Sequence, residues 1–191
     1  VLIPEIALTF QTVSRFQKRF PGRVSVLHSR LSEGERADQI EMAKNGDIDI
    51  MIGPRSALFT PFERLGIIIM DEEHDASYKQ ESNPRYLTSQ IARWRGKYHE
   101  CPVVLGSATP SLESYSRALK GVYHLCSLPK RINQKPLPTI EMIDMVEEIK
   151  HHNYDLLSNK MKTKIQETLD KNEQVMLLLN KRGYASYMRC L

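Results

Sequence analysis

The run Ile67-Ile68-Ile69-Met70-Asp71-Glu72-Glu73-His74 joins an apolar stretch to adjacent carboxylates and a histidine. If the apolar half is a buried strand, Asp71 and Glu72 emerge together at its end. The first can hold Mg²⁺, a hard cation that takes oxygen ligands and keeps several of its waters, and the second can orient or deprotonate an attacking water. This is the geometry of a Walker B element. Acidic residues after a strand also serve as solvated turns or helix caps. The four apolar residues before the pair and His74 after it favour chemistry over those uses. HExxH spacing is absent, so the acids do not read as a zinc site.

Other polar groups follow other apolar stretches. Gly106-Ser107-Ala108-Thr109-Pro110 offers two hydroxyls and a flexible glycine, which could link the acidic pair to a second ligand. Alone it reads as a Ser/Thr cap with proline in the first helical turn. Arg55 and Ser56 could contact a phosphate backbone through charge-assisted bonds, although a lone Arg is more often in a surface ion pair. Tyr78, Lys79, Arg85 and Tyr86 mix aromatic and basic side chains, a combination that stacks on bases and meets phosphates, or else forms an ordinary surface loop.

These groups need a scaffold that brings them together. VLIP is a short strand, and Ile6, Phe10, Val13, Phe16 and Phe20 have helical spacing up to Pro21-Gly22. Val24 to Leu27 is a second strand. Ser32 and Glu35 form a capping box for a helix ending at Asn45-Gly46. Ile48, Ile50 and Ile52 alternate as a third strand, and Gly66 to Met70 is a fourth, apolar on both faces. A helix over Thr88 to Tyr98 carries Ile91 and Trp94 on one face. Val103 to Leu105 is a fifth strand and Pro110 to Leu119 a further helix. Alternating strands and helices imply an α/β fold with a mainly parallel sheet, whose ligands bind beyond the carboxyl ends of the strands. Pro4-Glu5, His28-Ser29, Gly53 to Ser56, Asp71 to His74 and Gly106 to Thr109 would then converge on one edge.

The proline-rich, basic stretch Pro129 to Pro138 reads as a linker, which divides the chain into 1–128, 129–138 and 139–191. Beyond it, Ile140 to Ile143 is expected as a strand, Ser158 to Lys171 as a helix with Met161, Ile165 and Leu169 on one face, and Val175 to Leu179 as a buried strand.

Composition bounds the class. Of 191 residues, 41% are hydrophobic and 26% charged, as in folded globular proteins. The longest apolar run is five residues, too short to cross a membrane. Twenty-seven basic and 23 acidic residues leave +4, compatible with nucleic acid but not diagnostic. Three cysteines, Cys101, Cys126 and Cys190, form no CxxC pair, and a reducing cytoplasm is the expected compartment. None of the nine glycines begins GxxxxGK[ST], so a phosphate-gripping loop is expected ahead of Val1.

The strings LIPEIALT, LHSRLSEGER, IGPRSALFTPF, IIIMDEEHDASYKQ, PRY, VVLGSATPSLES and QVMLLLNKRGYA resemble the PriA family of replication-restart helicases, in helicase superfamily 2. The resemblance runs from Val1 to Leu191. It implies a RecA-like P-loop NTPase fold, with a first lobe over 1–128 lacking its phosphate loop and the start of a second lobe over 139–191. By the same resemblance Asp71 coordinates Mg²⁺, Glu72 is the base for ATP hydrolysis, and His74 links hydrolysis to DNA. Gly106, Ser107, Ala108 and Thr109 match the motif coupling hydrolysis to unwinding. Pro4, Glu5, Arg55 and Ser56 match motifs along which single-stranded DNA tracks, and Tyr78, Lys79 and Gln80 fall in a DNA-sensing aromatic-rich loop. Cys190 corresponds to the first ligand of a Zn²⁺ site. Two departures stand out: Pro54 replaces a small hydroxylated residue, and Ser89-Gln90 replaces Arg-Asp.

The family implies an ATP-dependent 3′ to 5′ DNA helicase, with ATP, Mg²⁺ and Zn²⁺ as cofactors. Forked DNA and single-strand/duplex junctions, primosome proteins and single-strand-binding proteins are its implied partners, and this stretch alone is expected to be inactive. The other classes to weigh are a non-hydrolytic RecA-like DNA-binding module and a different superfamily 2 translocase.

Overall fold

The computed structural model describes residues 1–4, 10–130, 136 and 138–178. The chain divides into two compact units, Val1–Ser127 and Leu128–Leu191.

The first unit is built on parallel strands. β1 (Val24–Val26) pairs with β2 (Ile50–Ile52), and β3 (Ile68–Met70) pairs with β6 (Val103–Leu105). Val1 to Ile3 joins the two ladders. Leu2 N donates to Ile69 O at 2.7 Å on one side, and Ile3 N donates to Gly53 O at 2.9 Å on the other. The spatial order is therefore β1, β2, Val1 to Ile3, β3, β6, with the first segment of the chain at the centre. The chain between β3 and β6 forms a separate small antiparallel ribbon of β4 (Lys79–Gln80) and β5 (Tyr86–Leu87).

Helices α1 (Phe10–Arg19), α2 (Glu33–Asn45) and α3 (Thr88–Tyr98) connect the strands, and α4 (Leu112–Leu119) follows β6. The boundaries of α2 follow from sequence chemistry: Ser32 and Glu35 close the capping box, and Gly46 ends the helix at φ 78°. That conformation costs glycine little because it has no Cβ. The core gathers Leu2, Leu27, Ile48, Met51, Leu58, Ile68 and Met70 beneath these elements. Each such aliphatic side chain contributes about 1.5 to 3 kcal/mol when fully removed from water.

Several elements differ from the sequence expectation. Trp94 is 63% exposed, and α3 instead turns Thr88, Ala92 and Gly96 inward. Small residues at i, i+4 and i+8 let the helix backbone approach the sheet more closely than an indole would. The helix after β6 starts at Leu112 with Ser111 as its N-cap, so Pro110 precedes the cap and is not in the first turn. Val104 on β6 is 45% exposed, so this strand is not covered on both faces by the described residues.

In the second unit, α5 (Met145–Lys150) is a helix that apolar spacing does not signal, and α6 (Asn159–Asp170) matches the expected helix, with Ser158 as its N-cap. Leu169 on α6 is exposed. Ile140 to Ile143 and Val175 to Leu178 are not strands, and Ile140, Met142, Met176 and Leu178 are exposed. An extended segment becomes a strand only when a neighbour takes its backbone N–H and C=O groups. Among the described residues this unit offers no such neighbour. Leu179 lies outside the described residues, as do 131–135 and 137 of the expected linker.

Candidate active site and nucleic-acid cleft

The parallel sheet delivers its strand ends to one edge. β3 stops at Met70, where Asp71 N donates to Leu2 O at 2.9 Å. The turn after β3 and the loop after β6 are stitched by backbone bonds: Gly106 N donates to Met70 O at 2.8 Å, and Glu73 N donates to Gly106 O at 3.0 Å. The acidic tetrad and the Gly106 to Thr109 loop therefore form one surface.

Within the turn, Glu72 adopts φ 47°, a left-handed conformation uncommon for a residue with a side chain. Its backbone N–H donates to Asp71 Oδ1 at 3.1 Å. Its carboxylate Oε2 lies 3.6 Å from His74 Nδ1, and the same ring nitrogen shares a 2.7 Å hydrogen bond with Ser107 Oγ. The other ring nitrogen, Nε2, is 3.5 Å from Thr109 Oγ1, and Ser107 Oγ accepts from Thr109 N at 3.0 Å. His74 thus stands between the Glu72 carboxylate and both hydroxyls of the Gly106 to Thr109 loop. Ala108 is exposed beside them.

The segment after the tetrad supports this turn from beneath. Tyr78 is 2% exposed, and its hydroxyl donates to Asp71 O at 2.8 Å. Burial, reinforced by the Asp71 carboxylate, pushes the phenol above its ordinary pKa. Thr88 Oγ1 donates to Tyr78 O at 2.6 Å, fixing the residue from the other side. Ser77 hydrogen bonds to the Asp75 carboxylate hold it below the usual carboxylate range. The expectation that Tyr78 stacks on DNA is corrected here, because a phenol sealed in the core has no face to offer a base.

A separate cleft of about 380 Å³ opens where β1 and β2 end. His28, Arg36, Arg55 and Ser56 line it, with Gln80 and Tyr86 on the far wall, and none of its lining residues is acidic. Arg55 spends Nη1 on two carbonyls, Ser77 O at 2.8 Å and Lys79 O at 3.0 Å. One edge of the guanidinium therefore braces the loop that carries Tyr78, and the residue also borders the cleft. Lys79 is exposed and pairs with Glu81 at 3.0 Å. Pro4 is fully buried, which removes its side chain from any contact with a strand of DNA. Glu5 and Cys190 lie outside the described residues.

Among the expected residues, Asp71, Glu72, His74, Ser107 and Thr109 come together at one end of the edge, and Arg55, Ser56 and Gln80 at the other. Two residues with evident places in this arrangement carried no role in the sequence reading. Arg36 lines the cleft from α2, in the position right after Glu35 of the capping box. Glu73 points away from the Asp71–Glu72 surface into the protein, where its carboxylate accepts hydrogen bonds from Ser111 and Ser114. The signal was present in the third acid of the tetrad and the serines opening α4. Nothing in their linear spacing says that they meet.

The Asp71 carboxylate fits Mg²⁺ by the chemistry of its donors, a hard anionic oxygen on an exposed turn where the cation can keep its water. Among the described residues, no cluster of three His, Cys, Asp or Glu side chains is placed to hold a metal. No helix among them is long and apolar enough to cross a membrane.

Residues 1–118 match the DEAD/DEAH box helicase family. Over 190 residues the chain is 50% identical to the replication restart protein PriA of Bacillus subtilis (strain 168), a match covering 100% of this chain and 24% of that protein. It is 42% identical over 195 residues to the replication restart protein PriA of a Synechocystis strain, covering 100% of this chain and 24% of that protein. It is 47% identical over 192 residues to that of Chlamydia pneumoniae, covering 100% of this chain and 26% of that protein. The chain thus spans about a quarter of the length of these curated relatives.

Proposed function

The chain belongs to the DEAD/DEAH box helicase family, with its RecA-like α/β fold, and from that premise we propose that it is part of an ATP-dependent DNA helicase that moves 3′ to 5′ and serves replication restart. The observation that supports this most strongly is His74, held between the Glu72 carboxylate and Ser107. A residue that touches both the candidate base and the loop of the neighbouring strand can pass the state of one to the other.

In this reading Asp71 would hold Mg²⁺, and Glu72 would orient the attacking water and accept its proton. Bound Mg²⁺ would offset the negative charge on the phosphate oxygens. Asp71 would face the cation, while the Glu72 carboxylate, beside His74, would act as the base. His74 registers the charge on Glu72 through their 3.6 Å separation and communicates it to Ser107 and Thr109. The cleft bordered by His28, Arg36, Arg55 and Ser56 suits a sugar-phosphate backbone, since its charged groups are all cationic. Replication restart enters from the names of the relatives, and forked DNA and a primosome are the partners that such a role would require.

The test of the base is Glu72→Gln in the full-length protein. The amide keeps the shape but cannot accept a proton, so DNA-stimulated ATP hydrolysis should fall by about a hundred-fold or more while DNA affinity is retained. Unchanged hydrolysis would refute the assignment. The 191 residues include no GxxxxGK[ST]. The isolated chain is accordingly expected to show no ATP turnover above background in a phosphate-release assay, with or without DNA.

A further inference from the structure

Glu73 is 9% exposed, and a carboxylate so placed must have its charge met by hydrogen bonds. Its partners all belong to the start of α4. Oε1 accepts from Ser111 N at 2.6 Å, and Oε2 accepts from Ser111 Oγ at 3.2 Å and from Ser114 Oγ at 3.0 Å. Ser111 is the N-cap of that helix, and its Oγ accepts from Ser114 N at 3.3 Å. The negative charge thus sits at the positive end of the α4 dipole, where backbone N–H groups would otherwise lack partners.

The consequence lies in what stands between these contacts. The Glu73 backbone holds Gly106, His74 next to it holds Ser107 and Thr109, and the Glu73 side chain holds Ser111 and Ser114. Two adjacent residues of the tetrad therefore grip the loop after β6 at its beginning, its middle and its far end. We propose that Glu73 is a positioning residue that fixes α4 to the acidic turn, so that the Gly106 to Thr109 loop and α4 shift as one body with His74 when the site turns over. Its carboxylate faces α4 and takes no part in hydrolysis. The proposal rests on the reading of Asp71, Glu72 and His74 as the hydrolytic site.

Glu73→Ala and Glu73→Gln in the full-length protein separate a positioning role from a chemical one. Gln keeps an acceptor oxygen for Ser111 N and gains an N–H that can donate to the serine hydroxyls, whereas Ala removes the acceptor of Ser111 N and of both serine hydroxyls. In Glu73→Ala the KM for ATP should stay within about two-fold, while strand separation per ATP hydrolysed falls about five- to ten-fold, the range of ordinary coupling energies. Glu73→Gln should restore most of that ratio. The Ser111→Ala and Ser114→Ala double variant, which leaves Glu73 in place, should lower it in the same direction. Hydrogen exchange gives a readout independent of activity: the Ser111 and Ser114 amides should exchange faster in Glu73→Ala and near the parent rate in Glu73→Gln. An unchanged unwinding ratio in Glu73→Ala would overturn the proposal, as would a Gln variant that loses hydrolysis as completely as Glu72→Gln. If the unmodified protein showed no DNA-stimulated hydrolysis, the functional reading would fail, and the exchange rates would still report whether Glu73 holds α4.

Discussion

Tyr78 serves the candidate site without reaching its ligands. The phenol lies in the core, its hydroxyl bonds the Asp71 carbonyl, and Arg55 braces the residues on either side of it. Asp71 is thereby held from its backbone, which leaves its carboxylate available. Tyr78→Phe deletes one buried hydrogen bond and leaves a carbonyl short of a partner, a loss of about 1 to 2 kcal/mol in urea denaturation. The affinity of the full-length protein for single-stranded DNA should stay within about two-fold, because a buried ring makes no stacking contact. A variant that kept its stability but bound DNA much more weakly would restore the DNA-contact role. The contrast with Asp71, Glu72 and His74 shows where a sequence can be read residue by residue. Those side chains are adjacent, and one buried strand fixes their direction. Tyr78 stands among polar neighbours, Asp75, Ser77, Lys79 and Gln80, and only the tertiary path of the chain brings it inside. Glu73 was equally hidden, since a carboxylate turned toward a helix 38 residues away has the same linear neighbours as one turned toward solvent.

At the scale of elements, the strands of the first unit, the capping box of α2 and the span of α3 were legible because local chemistry decides them, whereas Ile140 to Ile143 and Val175 to Leu178 are mostly apolar but unpaired among the described residues. The inward face of α3 was not legible, because apolar periodicity suggested Trp94 where close approach to the sheet selects small residues. That difference can be measured. A Cβ on Gly96 would lie 2.5 Å from Val103 Cγ2 and 3.0 Å from Cys101 O, and the second of these is backbone that cannot rotate away. Gly96→Ala should therefore destabilise by about 1 to 3 kcal/mol through overpacking. Gly34, in the first turn of α2, has nothing within 4 Å of an added Cβ and lies at ordinary helical angles. Gly34→Ala should stabilise by about 0.5 kcal/mol, since it removes backbone freedom from the unfolded chain at no steric cost. Opposite signs from the same chemical change, read as shifts of the denaturation midpoint, would establish the α3 contact. Two stabilisations of similar size would mean that the α3–β6 approach is looser than described.

For the molecule as a whole, the mild excess of four positive charges explains little until their positions are known. The sheet order places the hydrolytic candidates at the ends of β3 and β6 and the cationic cleft at the ends of β1 and β2. The buried Val1 to Ile3 segment runs between them. One edge thus carries both the acidic turn and the cationic cleft, separated by a single extended segment. Basic residues elsewhere have different surroundings: Arg23 is paired with Asp49 at 2.6 Å, and Arg19 closes α1 at the opposite edge, ahead of β1. If the cleft is where a phosphate backbone runs, binding must release counterions there and not at α1. Each phosphate contact on a single strand contributes about 0.7 to the slope of log affinity against log salt. Arg36→Gln should reduce that slope by about this amount and weaken binding to every sequence alike, as removal of a phosphate contact does. Arg19→Gln should leave the slope unchanged, although both substitutions remove one positive charge. Fluorescence anisotropy with a labelled oligonucleotide across a salt series decides the matter. Equal changes in the two variants would mean that net charge and not the cleft governs binding.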